Sequence, residues 1–174
     1  MGALRAVSSL ALAVAASTGC SARTDGSDIT EFKVGDCLKL GGTAAQPEAA
    51  KAPCGGPASN FRVVASVGDR AQCPTDVDSS YSTHNSISGA KNTVCLDIDW
   101  VIGGCMSVDP QHTVDPFRVD CNDAAVPNRQ RATQILKDLD PPVSADQCAS
   151  GLGYTYPQRR FVVCVEDISS AARP

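Results

Sequence analysis

The chain places its hydrophobic residues in short runs that alternate with polar ones, a pattern typical of half-buried β-strands. Residues 31–40 alternate on both sides of a bend at Gly35, and residues 93–99 put Val94, Leu96 and Ile98 on one face. Other runs are short and rich in β-branched residues, as strands are. The predicted strands are 31–40, 61–67, 93–99, 100–108 and 160–168.

Eight of the nine cysteines form two matching quartets. In each quartet a Gly stands two residues before the first Cys, a Gln stands immediately before the third, and a Tyr follows the third by eight residues. The matched residues are Gly35 and Gly103, Gln72 and Gln147, and Tyr81 and Tyr156. Self-similarity at several positions indicates a tandem duplication, whose copies differ in the lengths between cysteines, as loops do.

Two segments are harder to assign from their pattern. Residues 74–81 begin with a proline and acids, which predicts one helical turn. Residues 128–139 would suit a helix by periodicity, but their place in the repeat corresponds to 61–67 and favours a strand. The fold class predicted is therefore α+β, mostly β: two tandem small disulfide-bridged antiparallel β-rich modules from an internal duplication.

The predicted modules cover residues 31–100 and 101–170, followed by a short tail at 171–174. No Pro or polar spacer separates them, because residues 95–105 read as one continuous strand-like run. We therefore expect the modules to pack rigidly, with a shared sheet as one arrangement. Trp100 is expected at their junction as a structural residue rather than a ligand platform.

The eight cysteines of the two quartets predict four disulfides. Each module has roughly seventy residues, too few for a strong core, so crosslinks contribute much of its stability. Three pairings are possible within each quartet, and short loop closure favours the first with the second and the third with the fourth. The favoured pairs are Cys37–Cys54, Cys73–Cys95, Cys105–Cys121 and Cys148–Cys164. No C-x-x-C or H-x₃-H spacing occurs, so neither a metal, a cofactor nor a redox site is expected.

The first thirty residues have the features of an export signal. A positive charge at Arg5 precedes a mostly apolar stretch of eleven residues and a small-residue end, which predicts a signal peptide at 1–19 that is too short to span a bilayer. Small residues followed directly by Cys20 resemble a bacterial lipobox, although Ser17 replaces the usual Leu-type residue. The resemblance implies acylation of Cys20 and a cell-membrane location on the outer face; an ordinary secretory signal is the alternative. Residues 20–30 are then a lipidated N-terminus and a flexible tether.

Composition and motifs offer little catalytic chemistry. A formal net charge of −4 argues against nucleic acid as a partner. His84 and His112 lie in polar segments without a G-x-S-x-G motif. Two further sets are expected to be solvated: the strand carboxylates Asp97, Asp99 and Asp109, and the basic residues Arg129, Arg131 and Lys137. No catalytic residue is therefore assigned.

The best candidate for an exposed contact loop lies at residues 151–160. Tyrosine and arginine dominate binding hot spots, and this loop carries Tyr154, Tyr156, Arg159 and Arg160. The alternative is that its rings cover the bridge between Cys148 and Cys164.

The assembled motifs resemble a known lipoprotein family. The blocks VGDC, CLDIDWVIGGCMSVDP, DQCASG and FVVCVEDI make residues 34–168 similar to the LppU family of mycobacterial lipoproteins, and each module resembles an actinobacterial group related to septum-formation proteins. The resemblance implies an exported, membrane-anchored lipoprotein and carries over no catalytic residue. The expected function is a non-enzymatic binding or scaffold module for an envelope protein or glycan. The alternatives are an envelope hydrolase with an unfamiliar site, tested at His84 and His112, and a lipid carrier with an apolar cavity between the modules.

Overall fold

The computed structural model describes residues 31–43, 46–84, 89 and 91–169. The predicted signal peptide, Cys20, the tether and the tail at 171–174 lie outside these residues. No helix in the described part of the chain has the length and apolar character that a membrane crossing needs.

Ten strands form two antiparallel five-stranded sheets within the described residues. The first sheet contains β1 (Cys37–Thr43), β2 (Gln46–Ala52), β3 (Phe61–Val67), β4 (Ser79–His84) and β5 (Lys91–Ile98). The second contains β6 (Cys105–Ser107), β7 (Phe117–Val119), β8 (Arg129–Leu136), β9 (Gly153–Tyr156) and β10 (Phe161–Asp167). Their strand orders, β2-β1-β3-β5-β4 and β7-β6-β8-β10-β9, are the same topology used twice, which confirms the mostly β, tandem-repeat fold class.

The residues shared by the two copies perform the same local tasks. Gly35 and Gly103 adopt φ of +94° and +80° in the turns before β1 and β6, a conformation that favours glycine. Gln72 and Gln147 each complete a capping box on a short 3₁₀ turn that leads directly into the third cysteine. The repeat is therefore conserved at backbone turns and caps, while the lengths between them vary.

Four disulfides join Cys37 to Cys54, Cys73 to Cys95, Cys105 to Cys121 and Cys148 to Cys164. These are the pairs that short loop closure favours, so that prediction is confirmed. Such a density of disulfides indicates an oxidising environment outside the cytoplasm.

Strand β1 separates from β3 after two residue pairs, and a side chain continues the pairing. Asn60 accepts a hydrogen bond from the Leu40 N–H at 2.8 Å and donates one to the Leu40 carbonyl at 2.8 Å. The amide thus imitates a strand neighbour for Leu40, and this lets β1 diverge from β3 without leaving buried backbone groups unpaired.

The two sheets share one hydrophobic core. Its largest cluster joins Phe61 and Leu96 of the first module to Met106 and Val163 of the second, and Trp100 lies within it. The Trp100 ring packs on Tyr154 with centroids 5.0 Å apart. Trp100 is therefore a structural residue of the junction, as expected.

Three local predictions are wrong. Residues 95–105 are not one strand, because β5 ends at Ile98 and a turn closed by Gly104 N–H to Val101 carbonyl precedes β6. The modules consequently share a core and not a sheet. Residues 74–81 contain a turn at 75–76, a bend at 78 and the start of β4, and the predicted helical turn is absent there. The first strand begins only at Cys37, because the turn at Gly35 interrupts the alternation. Residues 129–136 do form the strand that the repeat favoured.

Candidate binding site at the module junction

One arginine of the second module is held by acids of the first. Arg159 makes a bidentate ion pair with Asp97, and its Nε lies 2.8 Å from Asp76 Oδ1. Its guanidinium also lies over the rings of Tyr156 and Phe161, 4.9 and 5.3 Å from their centroids. Desolvation lowers the pKa of Arg159, but Asp97 and Asp76 outweigh it and raise the pKa. We call this arrangement the Arg159 clamp.

The segment that carries Arg159 makes hydrogen bonds to residues 75–78 of the first module. Gln158 Oε1 accepts hydrogen bonds from the Thr75 N–H at 2.7 Å and hydroxyl at 3.0 Å. The Tyr156 hydroxyl donates to Asp78 Oδ2 at 2.7 Å. These hydrogen bonds thus fix the position of residues 75–78 against the second module.

A second inter-module connection converges on Asp99. This buried carboxylate accepts from the Gly55 N–H at 2.6 Å and the Ser59 hydroxyl at 2.7 Å. Arg62 of the first module lies 3.1 Å from it and Arg118 of the second lies 3.3 Å from it. Because a buried charge is tolerated only when it is paired and hydrogen-bonded, these donors explain how Asp99 remains inside the fold.

The modules also leave an open groove of about 870 Å³, which we call the junction groove. A volume of this size lies within the usual range for ligand sites, roughly 300–1,000 Å³. Both modules contribute to it. Its lining consists of residues 39–43, Pro57, Ala58, Asn60, 80–82 and 112–118.

The outer wall of the groove is a fixed loop with exposed apolar side chains. Asp109 accepts hydrogen bonds from the Gln111 N–H and from both the N–H and the hydroxyl of Thr113. The Thr113 hydroxyl bond, with the backbone bonds, lowers the pKa of Asp109 to about 2. Beyond this turn Val114 and Phe117 project into solvent, 60% and 46% exposed. The loop therefore presents apolar contact area on a constrained backbone.

A side pocket of about 400 Å³ continues from the groove past the same loop. Asp78 lines this pocket as a solvent-accessible residue, and its carboxylate accepts hydrogen bonds from the Ile98 N–H and the Tyr156 hydroxyl. Burial raises the pKa of Asp78 to about 6, although hydrogen bonds from the Ile98 N–H and Tyr156 hydroxyl oppose the shift. Asp115 also lines the pocket, and desolvation raises the pKa of its carboxyl. The pocket thus contains two carboxyls that hold their protons more tightly than a solvated aspartate.

A third opening, of about 530 Å³, lies between the sheets near Trp100. Its apolar lining includes Val34, Val63, Ile98, Ile135 and Val163. A lipid carrier would need a hollow of this kind, and that function stays a hypothesis.

The structure does not present the predicted contact loop as one exposed patch. Tyr156 is buried, Tyr154 donates its hydroxyl to Gln130 at 2.7 Å, and Arg159 belongs to the clamp. Of the four candidate residues, Arg160 alone is exposed, and it pairs with Asp140. The rings do not cover the Cys148–Cys164 bridge either, because they pack into the junction; Leu136, Leu139 and Val143 cover that bridge instead.

Several groups expected to be solvated are buried. Asp97 and Asp99 are internal ion-pair partners, whereas Asp109 is partly exposed in its turn. Arg129 is also buried and donates to the carbonyls of Cys121 and Ile168. Sequence reasoning missed these contacts because the partners are distant along the chain: Arg159 lies 62 residues from Asp97, and Ser59 lies 40 from Asp99.

The two histidines and one group of potential metal ligands remain to be placed in the fold. His112 is exposed on the groove loop, whereas the His84 side chain lies outside the described residues. Cys37, Cys54 and Asp99 bring ligand-type atoms within 4.8 Å of one another. The two sulfurs are bonded to each other and Asp99 is engaged by its donors, so we treat the grouping as structural.

A comparison with known protein families, with curated proteins and with solved structures finds no match to this chain.

Proposed function

We propose that the protein is an exported, membrane-anchored lipoprotein that acts as a non-enzymatic binding module at the cell envelope, with the junction groove as its binding site. The anchor rests on the signal pattern and the lipobox resemblance at Cys20. A ten-residue coil after Cys20 would hold the folded part about 17 Å from the lipid.

The observation that carries the proposal is a groove lined by both modules, one of whose lining residues, Arg118, also joins the modules through Asp99. The Arg159 clamp and the Asp99 connection fasten the modules to each other, so the groove walls need little ordering when a ligand binds. Tyr81 and Phe117 offer ring surface and Asp115 offers a carboxylate acceptor. Such a combination suits an envelope protein segment or a glycan.

Photocrosslinking in living cells tests this proposal. Phe117 is replaced by benzoylphenylalanine in the full-length chain, and Leu152 is replaced in the matched control, since the two side chains are 46% and 48% exposed. We expect a saturable adduct at position 117, identified by mass spectrometry as protein or glycan, and none at 152. Adding Asp115→Asn should lower the adduct yield at 117. Equal yields at the two positions, or none at 117, would contradict the proposal.

One observation favours a second candidate, an envelope hydrolase. A carboxyl whose pKa is about 6, located in a pocket, has the property of a general acid–base group. An assay panel on envelope substrates with wild type, Asp78→Asn and His112→Gln separates the two functions. Turnover that disappears in Asp78→Asn would support the hydrolase. Absence of turnover together with a retained adduct at position 117 would support the binding module.

A further inference from the structure

The repeated turn before the first cysteine of each module ends in an exposed apolar side chain. Val34 and Ile102 occupy equivalent positions next to Gly35 and Gly103, and they are 65% and 52% exposed. Each turn is held in the same way, by a glycine N–H that donates to a strand carbonyl: Gly35 to Val63 at 2.8 Å and Gly103 to Ala132 at 2.7 Å. Both apolar tips therefore project from rigid supports.

Residues 54 and 55 connect the two turns. The Cys54 Sγ lies 3.6 Å from the Gly35 carbonyl oxygen. The next residue, Gly55, packs so closely on Val101 that an added Cβ would lie 3.0 Å from its Cγ2. Val101, itself exposed, immediately precedes Ile102. We call the surface formed by Val34, Val101 and Ile102 the paired-turn patch.

Cationic side chains stand beside both turns. In the strand register Arg62 lies opposite Cys37, and Arg131 lies opposite Cys105. Both guanidiniums are ion-paired, Arg62 with Asp99 at 3.1 Å and Arg131 with Glu166 at 3.9 Å, yet their side chains remain 48% and 40% exposed. The acid of the first turn, Asp36, is itself paired with Lys51 at 2.8 Å. Lys33 adds an exposed amine next to Val34. Apolar tips bordered by partly exposed cations match the interface of an anionic bilayer, where acyl chains lie beneath phosphate groups.

Single exposed apolar residues are normal on protein surfaces, so exposure alone would not identify a partner. Three of them stand here on two turns that residues 54 and 55 connect, and the chain leads from Val34 toward the anchor. Val34 is fourteen residues after Cys20, close enough for a short tether to bring the patch to the bilayer.

We infer that the paired-turn patch rests in the headgroup interface of an anionic bilayer and so fixes the orientation of the folded part above its anchor. This inference rests on the proposed lipid anchor at Cys20. It implies that the protein does not tumble freely on its tether, and that the patch is the membrane-facing surface.

Depth-dependent tryptophan quenching tests the inference on the full-length lipidated protein in vesicles. Trp100 is the single tryptophan, so a Trp100→Phe background allows one probe at a time. Val34→Trp and Ile102→Trp place the probe on the patch, and Val114→Trp places it on the groove loop, where the native side chain is 60% exposed. Vesicles contain spin-labelled lipids in an anionic or a zwitterionic mixture. Resistance of the eight paired cysteines to alkylation confirms that each variant is folded.

We expect about threefold stronger quenching at positions 34 and 102 than at 114 in anionic vesicles, and weaker quenching at both patch positions in zwitterionic ones. Hydrogen exchange on the unmodified protein gives a second measurement, with slower exchange at residues 33–36 and 101–104 on vesicles than in detergent. Equal quenching at all three positions in protein that floats with the vesicles would overturn the inference and leave the anchor intact. Protein that fails to float would instead refute the anchor, and with it the inference that depends on it.

Discussion

Replacing Arg159 by alanine should destabilise the protein strongly, because it removes a cation that pairs with two acids of the other module. The side chain is 21% exposed, while those of Asp76 and Asp97 are 4% and 12% exposed. Arg159→Ala therefore leaves two largely buried carboxylates without their partner. Truncating one member of a buried ion pair costs about 3–5 kcal/mol. The contacts with the Tyr156 and Phe161 rings add to the loss.

Urea unfolding with the disulfides intact measures the effect as the free energy of unfolding. For an m-value of about 2 kcal/mol/M, a loss of about 4 kcal/mol lowers the midpoint by about 2 M. Arg159→Lys should fall between wild type and Arg159→Ala, since an ammonium cannot make the bidentate contact with Asp97. Combining Asp97→Asn with Arg159→Ala should cost less than the sum of the single changes, because the two residues interact directly.

The neighbouring arginine supplies the control. Arg160 pairs with the exposed Asp140, and surface ion pairs of this kind contribute about 0–1 kcal/mol. Arg160→Ala should therefore leave the midpoint nearly unchanged. If the two alanine variants unfold within about 0.5 kcal/mol of each other, the clamp does not hold the modules together and the reasoning is refuted.

Three further predictions concern stability. Because folding raises the pKa of Asp78 from 3.8 to about 6, the native state binds the extra proton, and stability should fall as pH rises from about 4 to 6. Asp78→Asn should remove this pH-dependent change in the free energy of unfolding, which is about 1 kcal/mol after allowance for solvent access. The free energy of unfolding, measured across this pH range, checks the prediction, and an unchanged pH dependence would contradict the assignment. Asn60→Ala should cost about 2–4 kcal/mol by leaving both Leu40 backbone groups unpaired, and a loss under about 1 kcal/mol would argue against that role. Gly153→Ala should cost about 1–3 kcal/mol in thermal melts, since its Cβ would lie 2.9 Å from a carbonyl oxygen. The control Gly41→Ala should cost little, because no atom lies within 4 Å of its added Cβ.

Much of the scaffold could be predicted from the sequence, because it depends on local chemistry that occurs twice. The β-branched run at 61–67 and the matched position of 129–136 identified two of the central strands. The cysteine spacing favoured the observed pairs, since neighbouring strands close short loops. The shared Gln before the third cysteine is now explained by its capping box.

The junction could not be predicted, because its contacts join residues that are distant in sequence. Hydrophobic alternation continues from residue 95 to 105, through a turn. The end of β5 at Ile98 could not be predicted, because hydrophobic periodicity does not show where the antiparallel partner of a strand ends. Asp97 looked solvated because its register marks it as facing away from the core, and only the other module covers it. The sequence marks Tyr156 and Arg159 as candidate contact residues, but it does not show that their partners lie at 76–78.

The intact mass of the protein extracted from membranes, measured with and without reductant before alkylation, tests the central claim most directly. The claim is that one cysteine anchors the chain in lipid while the other eight form four bridges. We predict a chain that begins at Cys20, carries fatty acyl groups, takes up no alkyl group before reduction and takes up eight afterwards. A mass without lipid, or alkylation of any of the eight before reduction, would contradict the account.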